Sequence, residues 1–243
     1  MTDYYLYITE PLLLEAALAL AKFSNKLIVV DKVPESEMPY LQLDGNGLAV
    51  AGIFSKPYYV AEIYSKLNLR YQSLANDLLI QATKINTRVG DTLWDLTAGL
   101  GKDAIILASY GYDVTMVECN PLLATIIYYA LNNKIIPSNS LNIVCTDSLQ
   151  FVQQATTLPD IIYLDPMFND EKTALAKKDM QLIQRLANNS KTDVKQLFAH
   201  SYNIIKTKVV VKRDNKQEKI VAAPPPSYTK QGKTVRFDVY RKN

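Results

Sequence analysis

The second half of the chain alternates apolar runs with amphipathic stretches. Runs rich in β-branched residues predict strands at Thr92–Leu96, Asp113–Glu118, Leu141–Thr146, Asp160–Leu164 and Lys208–Lys212. Apolar residues at helical spacing between these runs predict helices near Asp103–Tyr110, Leu122–Asn132, Leu149–Ala155 and Lys172–Leu186. Because strands that alternate with helices pair in parallel, the pattern predicts an α/β fold with a mostly parallel sheet covered on both faces.

The last part of the chain departs from this alternation. Lys219–Ala223 and Lys233–Tyr240 are strand-like and have no helix between them, so the final strand is expected to be antiparallel. Three consecutive prolines at 224–226 favour a loop between these strands. A polyproline segment that binds a partner domain is the alternative.

The first part of the chain has a different pattern. Leu27–Val30 is strand-like, and Leu41–Val50 places two short alternating runs around Asp-Gly-Asn-Gly, which predicts a β-hairpin. Tyr58–Leu67 has helical spacing. We therefore expect a small α+β unit at residues 1–70 and a larger domain at residues 71–243.

No segment of the sequence predicts export or membrane insertion. Pro11–Phe23 is apolar, but Glu15 interrupts it and acidic rather than basic residues precede it, so a surface helix is favoured over a signal peptide. No run of 18 uncharged apolar residues occurs, which argues against a membrane span. The chain has only two cysteines, too few for a disulfide framework, so a reducing, cytoplasmic location is expected.

Composition argues against two kinds of catalytic site. The single histidine and the two cysteines, which lack a CxxC spacing, cannot supply an ordinary zinc site, and we expect no metal. A serine triad would depend on His200, and no GxSxG motif accompanies it. The net charge is +3, yet the segment from Lys206 to Asn243 holds 11 Lys and Arg against 3 Asp and Glu. This basic end suggests a polyanionic partner, and a solvated charged face is the alternative.

A glycine-rich loop follows the first strand of the larger domain. Gly99, Gly101 and Ala104 match the pattern G-x-G-x-x-[GA] between a strand and a helix. Such a loop binds either a dinucleotide or S-adenosylmethionine (SAM). Asp95 would repel a pyrophosphate but attract the ammonium and sulfonium of SAM, so the loop favours SAM.

Polar residues also follow the next two strands. Glu118 ends the second strand and can accept both ribose hydroxyl protons, which suits NAD and SAM equally. Asp147 and Ser148 follow the third strand, where they could reach an adenine. The alternative for these two residues is a helix N-cap.

The fourth strand ends in Asp165-Pro166-Met167-Phe168. In this position a [DN]-P-x-[FY] tetrapeptide suits the methylation of an amino group. The Asp165 carboxylate can accept a hydrogen bond from an exocyclic amine and direct its nitrogen lone pair, while Phe168 can stack on the base. A strand-end turn with a buried Phe is the alternative interpretation.

Several segments together resemble the RsmJ family of bacterial 16S ribosomal RNA guanine-N2 methyltransferases. They lie in order over most of residues 90–240, at Asp95–Ser109, Val117–Pro121, Ile161–Phe168, Ala174–Met180, Val209–Arg213 and Arg236–Tyr240. The resemblance implies a class I methyltransferase fold, SAM as cofactor, and 16S rRNA or the small ribosomal subunit as partner. It implies cofactor contacts at Lys102, Asp103, Glu118, Cys119, Asp147, Ser148 and Asp165.

The basic residues of the C-terminal segment are candidates for contacts to RNA phosphates. They are Lys208, Lys212, Arg213, Lys233 and Arg236. Three other functions stay open. A methyltransferase of DNA adenine or protein glutamine would share both motifs, an NAD-dependent oxidoreductase would need no Asp-Pro-Met-Phe, and a non-catalytic RNA-binding protein would need no SAM site.

Overall fold

The computed structural model describes residues 4–35, 38–65, 67, 71–84, 91–137, 139–166, 178–187, 193–216 and 224–242. The first part of the chain forms a five-stranded sheet in the order β2-β1-β3-β4-β5. Its strands are β1 (Tyr4–Ile8), β2 (Leu27–Val30), β3 (Tyr40–Asp44), β4 (Gly47–Ala51) and β5 (Tyr58–Tyr59). Helix α1 (Leu14–Ser24) connects the parallel strands β1 and β2, and α2 (Val60–Tyr64) follows β5.

Three predictions for this part are confirmed. The strand at Leu27–Val30, the hairpin, and the surface helix that overlaps Pro11–Phe23 are all present. The predicted helix at Tyr58–Leu67 begins two residues later, because Tyr58 and Tyr59 pair with β4. Strand β1 was not predicted, since its tyrosines are neither clearly apolar nor clearly polar and hide the alternation.

The second part of the chain forms a seven-stranded sheet in the order β11-β12-β10-β9-β6-β7-β8. Its strands are β6 (Thr92–Asp95), β7 (Asp113–Glu118), β8 (Leu141–Cys145), β9 (Ile161–Leu164), β10 (Lys208–Asp214), β11 (Tyr228–Gln231) and β12 (Val235–Arg241). Strands β6 to β10 are parallel, and β12 is antiparallel to β10. The predicted α/β fold, with its mostly parallel sheet and antiparallel final strand, is confirmed.

Helices cover both faces of this sheet. They are α3 (Leu78–Thr83), α4 (Lys102–Tyr110), α5 (Pro121–Asn132), α6 (Ser148–Gln153), α7 (Lys178–Ala187) and α8 (Val194–Ile204). One face packs against α3, α4 and α5, and the opposite face packs against α6 and α8. All four residues of β9 are buried, as expected for a central parallel strand between two helix layers.

Three elements of the second part were not predicted, namely α3, α8 and β11. Helix α8 buries Leu197, Phe198 and Ser201 on one face, a helical spacing that starts after the capping residue Asp193. Strand β11 is short and, among the described strands, pairs with β12 alone; its sequence, Tyr-Thr-Lys-Gln, carries little apolar pattern. The predicted strand at Lys219–Ala223 and the start of the predicted helix at Lys172 lie outside the described residues.

A shared hydrophobic cluster joins the two sheets through α5 and α7. Among its buried members are Leu6, Leu41, Ile63, Leu122, Ile126 and Leu182. The proposed boundary at residue 70 stays a prediction. Among the described residues, every helix is too short or too polar to cross a membrane.

Candidate active site

The order of the large sheet defines where a ligand can bind. The chain proceeds from β6 outward to β7 and β8 on one side, and from β9 outward to β10 on the other. Open α/β sheets bind ligands outside the carboxyl ends of their strands at such a reversal of strand order. Asp95 ends β6 and Asp165 follows β9, so both residues lie at the reversal.

The glycine loop takes a backbone conformation that requires glycine. Gly99 has φ +56° and Gly101 has φ +67°, both in the left-handed region. A Cβ atom on Gly101 would also lie 2.9 Å from the Met116 sulfur, so this position permits close packing of the loop on β7. From α2, the Tyr64 hydroxyl donates a hydrogen bond to the Leu100 carbonyl at 2.9 Å and holds the loop against the first unit.

Glu118 is fixed by the turn that leads from β7 into α5. Asn120 caps α5 by accepting from the amides of Leu122 and Leu123. The Glu118 carboxylate accepts from the Gly99 amide through Oε2 and from the Asn120 amide through Oε1, both at 2.8 Å. A carboxylate has about four lone-pair sites, of which the two amides occupy one on each oxygen. The Cys119 thiol makes a longer contact to Oε1 at 3.7 Å. Burial raises the pKa of Glu118, and the backbone amides oppose that rise.

Asp95 is almost fully enclosed. Asp95 is 2% exposed, and its Oδ1 accepts a hydrogen bond from the Thr97 backbone amide at 3.1 Å. Burial raises the pKa of Asp95 to about 8, and the nearby carboxylates of Asp103, Asp165 and Glu118 add to the rise. A buried carboxyl with a raised pKa is stabilised in its ionised form when a cationic ligand binds beside it.

Asp165 belongs to a chain of charged and polar groups. The Lys212 ammonium lies 2.8 Å from Asp165 Oδ2 and 2.8 Å from Asp103 Oδ2. The Tyr163 hydroxyl donates to the same Asp103 oxygen at 2.8 Å. Thr97 Oγ1 accepts from the Asp165 amide at 2.6 Å, which ties this residue to the glycine loop.

The residues after β8 have different roles. Asp147 is exposed and caps α6 by accepting from the Gln150 amide at 3.0 Å, so the N-cap interpretation is confirmed for this residue. Ser148 is buried, and its hydroxyl donates to the Leu96 carbonyl at 2.5 Å. Cofactor contacts at both residues stay predictions.

Lys102 connects the loop to α7. Its ammonium forms an ion pair with Asp179, which also accepts a hydrogen bond from the Tyr58 hydroxyl at 2.6 Å. Cys119 is partly buried beside Glu118. Asp179, Tyr58, Thr97 and Tyr163 were not singled out from the sequence. Of these, only Tyr163 carried a local signal, because it lies two residues before Asp165 on the same face of β9.

Three of the basic residues predicted to contact phosphate are buried. Lys208 is 1% exposed, and its ammonium donates to the carbonyls of Ala82 and Lys84 at 2.8 Å. Arg213 is buried, and Arg236 is buried with its guanidinium on the Asp238 carboxylate. Enclosure of this kind does not favour a phosphate contact, and the RNA contacts proposed at these three residues stay predictions.

Lys212 is also placed differently from expectation, since two carboxylates already hold its ammonium. Lys233 is exposed in the turn between β11 and β12, and Lys216 is exposed just after β10. The Asn215 amide donates to the Thr234 carbonyl at 3.0 Å, so both lysines lie at the sheet edge where Asp165 is found. Phe168 lies outside the described residues.

Three comparisons with known proteins agree with this geometry. The family model described as "Putative SAM-dependent methyltransferase" matches residues 55–242. Two proteins named ribosomal RNA small subunit methyltransferase J are similar to the chain. The one from Legionella pneumophila (strain Paris) is 40% identical over 157 residues, which are 62% of this chain and 63% of the relative. The one from Coxiella burnetii (strain Dugway 5J108-111) is 34% identical over 170 residues, 68% of this chain and 66% of the relative.

The matched region therefore covers less than two thirds of the length of either relative. A solved structure extends the similarity to the whole fold. The crystal structure of a SAM-dependent methyltransferase from Neisseria gonorrhoeae superposes with a TM-score of 0.71 and 26% sequence identity. That superposition covers 98% of this chain and 95% of the other.

Proposed function

The chain belongs to the family of SAM-dependent methyltransferases, and from this premise we propose that it methylates the N2 amine of a guanosine in 16S rRNA. The observation that carries the proposal is the position of Asp165, a hydrogen-bond acceptor at the strand-order reversal beside the loop that would hold SAM. The names of the relatives support the small-subunit RNA as substrate. We place the reaction in the cytoplasm, where ribosomal subunits are assembled.

The residues at the reversal fit SAM. Asp95 supplies buried negative charge for the methionine ammonium and the sulfonium. The same charge would repel the pyrophosphate of a dinucleotide. We assign Glu118, whose oxygens each accept one backbone amide, to the two ribose hydroxyls, and Ser148 to the adenine. Lys102, Asp103, Cys119 and Asp147 complete the proposed cofactor residues, together with Gly99 and Gly101. When bound, SAM supplies a methyl group on a sulfonium, whose thioether is a good leaving group.

The protein's part in the reaction is to position the amine. Asp165 accepts a hydrogen bond from the guanine N2 amine, which directs the nitrogen lone pair away from the carboxylate. Positioning of two reactants supplies most of the rate in a reaction of this type, so a strong general base is not needed. Once the C–N bond has formed and the C–S bond has broken, the cationic nitrogen loses one proton to the hydrogen-bonded Asp165 carboxylate or to water. The guanine must leave its stack to reach Asp165, at a cost of a few kcal/mol. We propose that Phe168 stacks on the extruded base.

The decisive experiment for this function is transfer of labelled methyl from SAM to ribosomal subunits that lack the modification, followed by nucleoside analysis. The expected product is N2-methylguanosine in 16S rRNA. Label in DNA adenine or in protein glutamine would assign the chain to another group of amino-methyltransferases. SAM binding without transfer to RNA, DNA or protein would reject the proposal.

Lys216 and Lys233 are exposed at the sheet edge where Asp165 lies, which we call the active edge. Their position predicts a salt-dependent contribution to RNA binding. Changing Lys216→Ala together with Lys233→Ala should weaken RNA binding, because each lost phosphate contact reduces the slope of log affinity against log salt by about 0.7–0.9. SAM affinity should stay the same. RNA affinity is measured at several salt concentrations.

A control variant of equal charge is available at the opposite edge of the sheet. Lys206 precedes β10, and the Lys242 amide bonds to Thr207 beside it. The Lys206→Ala, Lys242→Ala variant should retain the wild-type salt slope. Equal slopes for wild type and for both double variants would contradict a phosphate-binding surface at the active edge.

The raised pKa of Asp95 predicts that SAM binds with release of a proton. With a pKa of about 8 this carboxyl is mostly protonated at pH 6–7.5, whereas the cationic groups of SAM favour its ionised form. SAM affinity should therefore rise with pH over this range, by at most about tenfold per pH unit. The range ends at pH 7.5 because an α-amino group such as that of SAM loses its proton near pH 8.

Calorimetry in buffers of different ionisation enthalpy measures this proton release directly. In Asp95→Asn the release should disappear and SAM should bind more weakly at every pH. Because the pKa of Glu118 is also raised, the comparison with Asp95→Asn identifies which carboxyl loses the proton. Equal proton release in the variant would remove Asp95 from the ammonium site.

A further inference from the structure

The register of the sheet brings Lys212 to the active edge. Val211 of β10 lies opposite Leu164 of β9 in the parallel ladder. The next residue on each strand is Lys212 on the β10 side and Asp165 on the β9 side, so these two residues are neighbours. Side chains alternate along a strand, and Lys212 therefore shares the face of Val210, which packs with α4. Asp103 lies in the first turn of α4 and completes the group.

The contacts of Lys212 restrict both the lysine and the carboxylate. Its side chain is 25% exposed, and the ammonium donates to Asp165 and Asp103 at 2.8 Å each. The Asp165 main chain is held from the other side by Thr97 at 2.6 Å. Among the described residues, Asp165 is thus held through its amide and through one carboxylate oxygen, Oδ2, and we assign the other oxygen, Oδ1, to the substrate amine.

We infer that Lys212 is a positioning residue that orients the Asp165 carboxylate and keeps it ionised for methyl transfer. This inference rests on the proposed function. It also replaces the expectation that Lys212 contacts an RNA phosphate, because a phosphate contact would require the ammonium to leave two carboxylates.

The charges around Asp165 explain why a cation is needed there. Asp103 on α4 and Asp95 on β6 are acidic, Tyr163 is the neutral hydroxyl on β9, and Lys212 on β10 is the cation in the group. Burial raises the pKa of Asp165, Asp103 adds to the rise, and Lys212 opposes it. Loss of the ammonium would therefore raise the pKa of Asp165 further and favour its protonated form at neutral pH.

Kinetics of Lys212→Met and Lys212→Arg provide the first test. With Met, kcat at saturating SAM and RNA should fall roughly tenfold, and the acid limb of the kcat profile should move to higher pH. The KM for RNA should change less than about twofold. Arg should restore most of kcat, because it keeps the charge. Lys206→Met, at the opposite edge of the sheet, should behave as wild type.

A double-mutant cycle with Asp165→Asn separates positioning from an independent role. If Lys212 acts through Asp165, Lys212→Met should reduce kcat by less than about twofold in the Asp165→Asn background. Additive losses would overturn the inference. Additive losses together with a smaller dependence of RNA affinity on salt concentration would show that Lys212 contacts an RNA phosphate instead.

A measurement without turnover distinguishes failure of this inference from failure of the proposed function. The Asp165 carboxyl is titrated by ¹³C NMR in the free protein, and its signal is assigned by its absence in Asp165→Asn. In Lys212→Met its pKa should rise by about one unit or more. An unchanged pKa overturns the inference even if wild-type protein methylates RNA. A shifted pKa in a protein that methylates no RNA rejects the proposed function and leaves the coupling of Lys212 to Asp165 intact.

Discussion

The Asp165→Asn variant is expected to lower kcat by roughly tenfold to a thousandfold, a loss of about 1.4–4 kcal/mol in transition-state stabilisation. The carboxylate stabilises an amine nitrogen that gains positive charge as the methyl group is transferred, so its charge matters most in the transition state. Asparagine keeps the size and one acceptor oxygen but removes that charge. RNA affinity should change much less than kcat.

A matched control lies at the other end of the same strand. Asp160 precedes β9 and accepts from the Thr92 amide at 2.9 Å, so Asp160→Asn makes the same chemical change away from the active edge. It should leave kcat near wild type. SAM affinity is measured in both variants by calorimetry. Collapse of SAM affinity in Asp165→Asn with normal kcat at saturating SAM would make Asp165 a cofactor residue and contradict its catalytic role.

The Glu118→Ala variant is expected to weaken SAM binding by tenfold or more. Two hydrogen bonds from ribose hydroxyls to a carboxylate are each worth about 1.5–3 kcal/mol. The same side chain accepts from the Gly99 amide, so its loss also releases the glycine loop from β7. Both effects reduce affinity, and calorimetric titration with SAM measures their sum.

Stability must be measured beside affinity, because Glu118 is buried and holds two backbone amides. Asp160→Ala is the matched control, since it removes a carboxylate that accepts a hydrogen bond from a backbone amide at the opposite edge of the sheet. Denaturation of both variants shows whether the fold persists. SAM affinity equal to wild type in a folded Glu118→Ala protein would exclude Glu118 from the ribose site.

The sequence by itself determined that the large sheet is mostly parallel, alternates with helices and ends in an antiparallel strand. Continuous apolar runs between amphipathic helices are local features that persist whatever the neighbouring strands are, and the predicted α/β order is confirmed. Asp95, Glu118 and Asp165 each lie at the carboxyl end of a predicted strand. Because the carboxyl ends of parallel strands meet at one edge of the sheet, the sequence also indicated that these residues lie near one another. The glycine positions could be identified locally as well, since left-handed backbone is a property of the loop itself.

Only the tertiary structure decided what the charged residues do. Lys208, Lys212 and Arg213 lie within one short strand but have different surroundings. The first bonds to carbonyls in the interior, the second forms ion pairs with Asp103 and Asp165, and the third is buried on the opposite face. The contacts of Tyr58 and Lys102 to Asp179 likewise join three distant parts of the chain. Composition counts charges without their partners, and partners come from strand register and helix packing. For this reason the charge of a basic segment does not show which of its residues are buried, which form ion pairs and which are exposed.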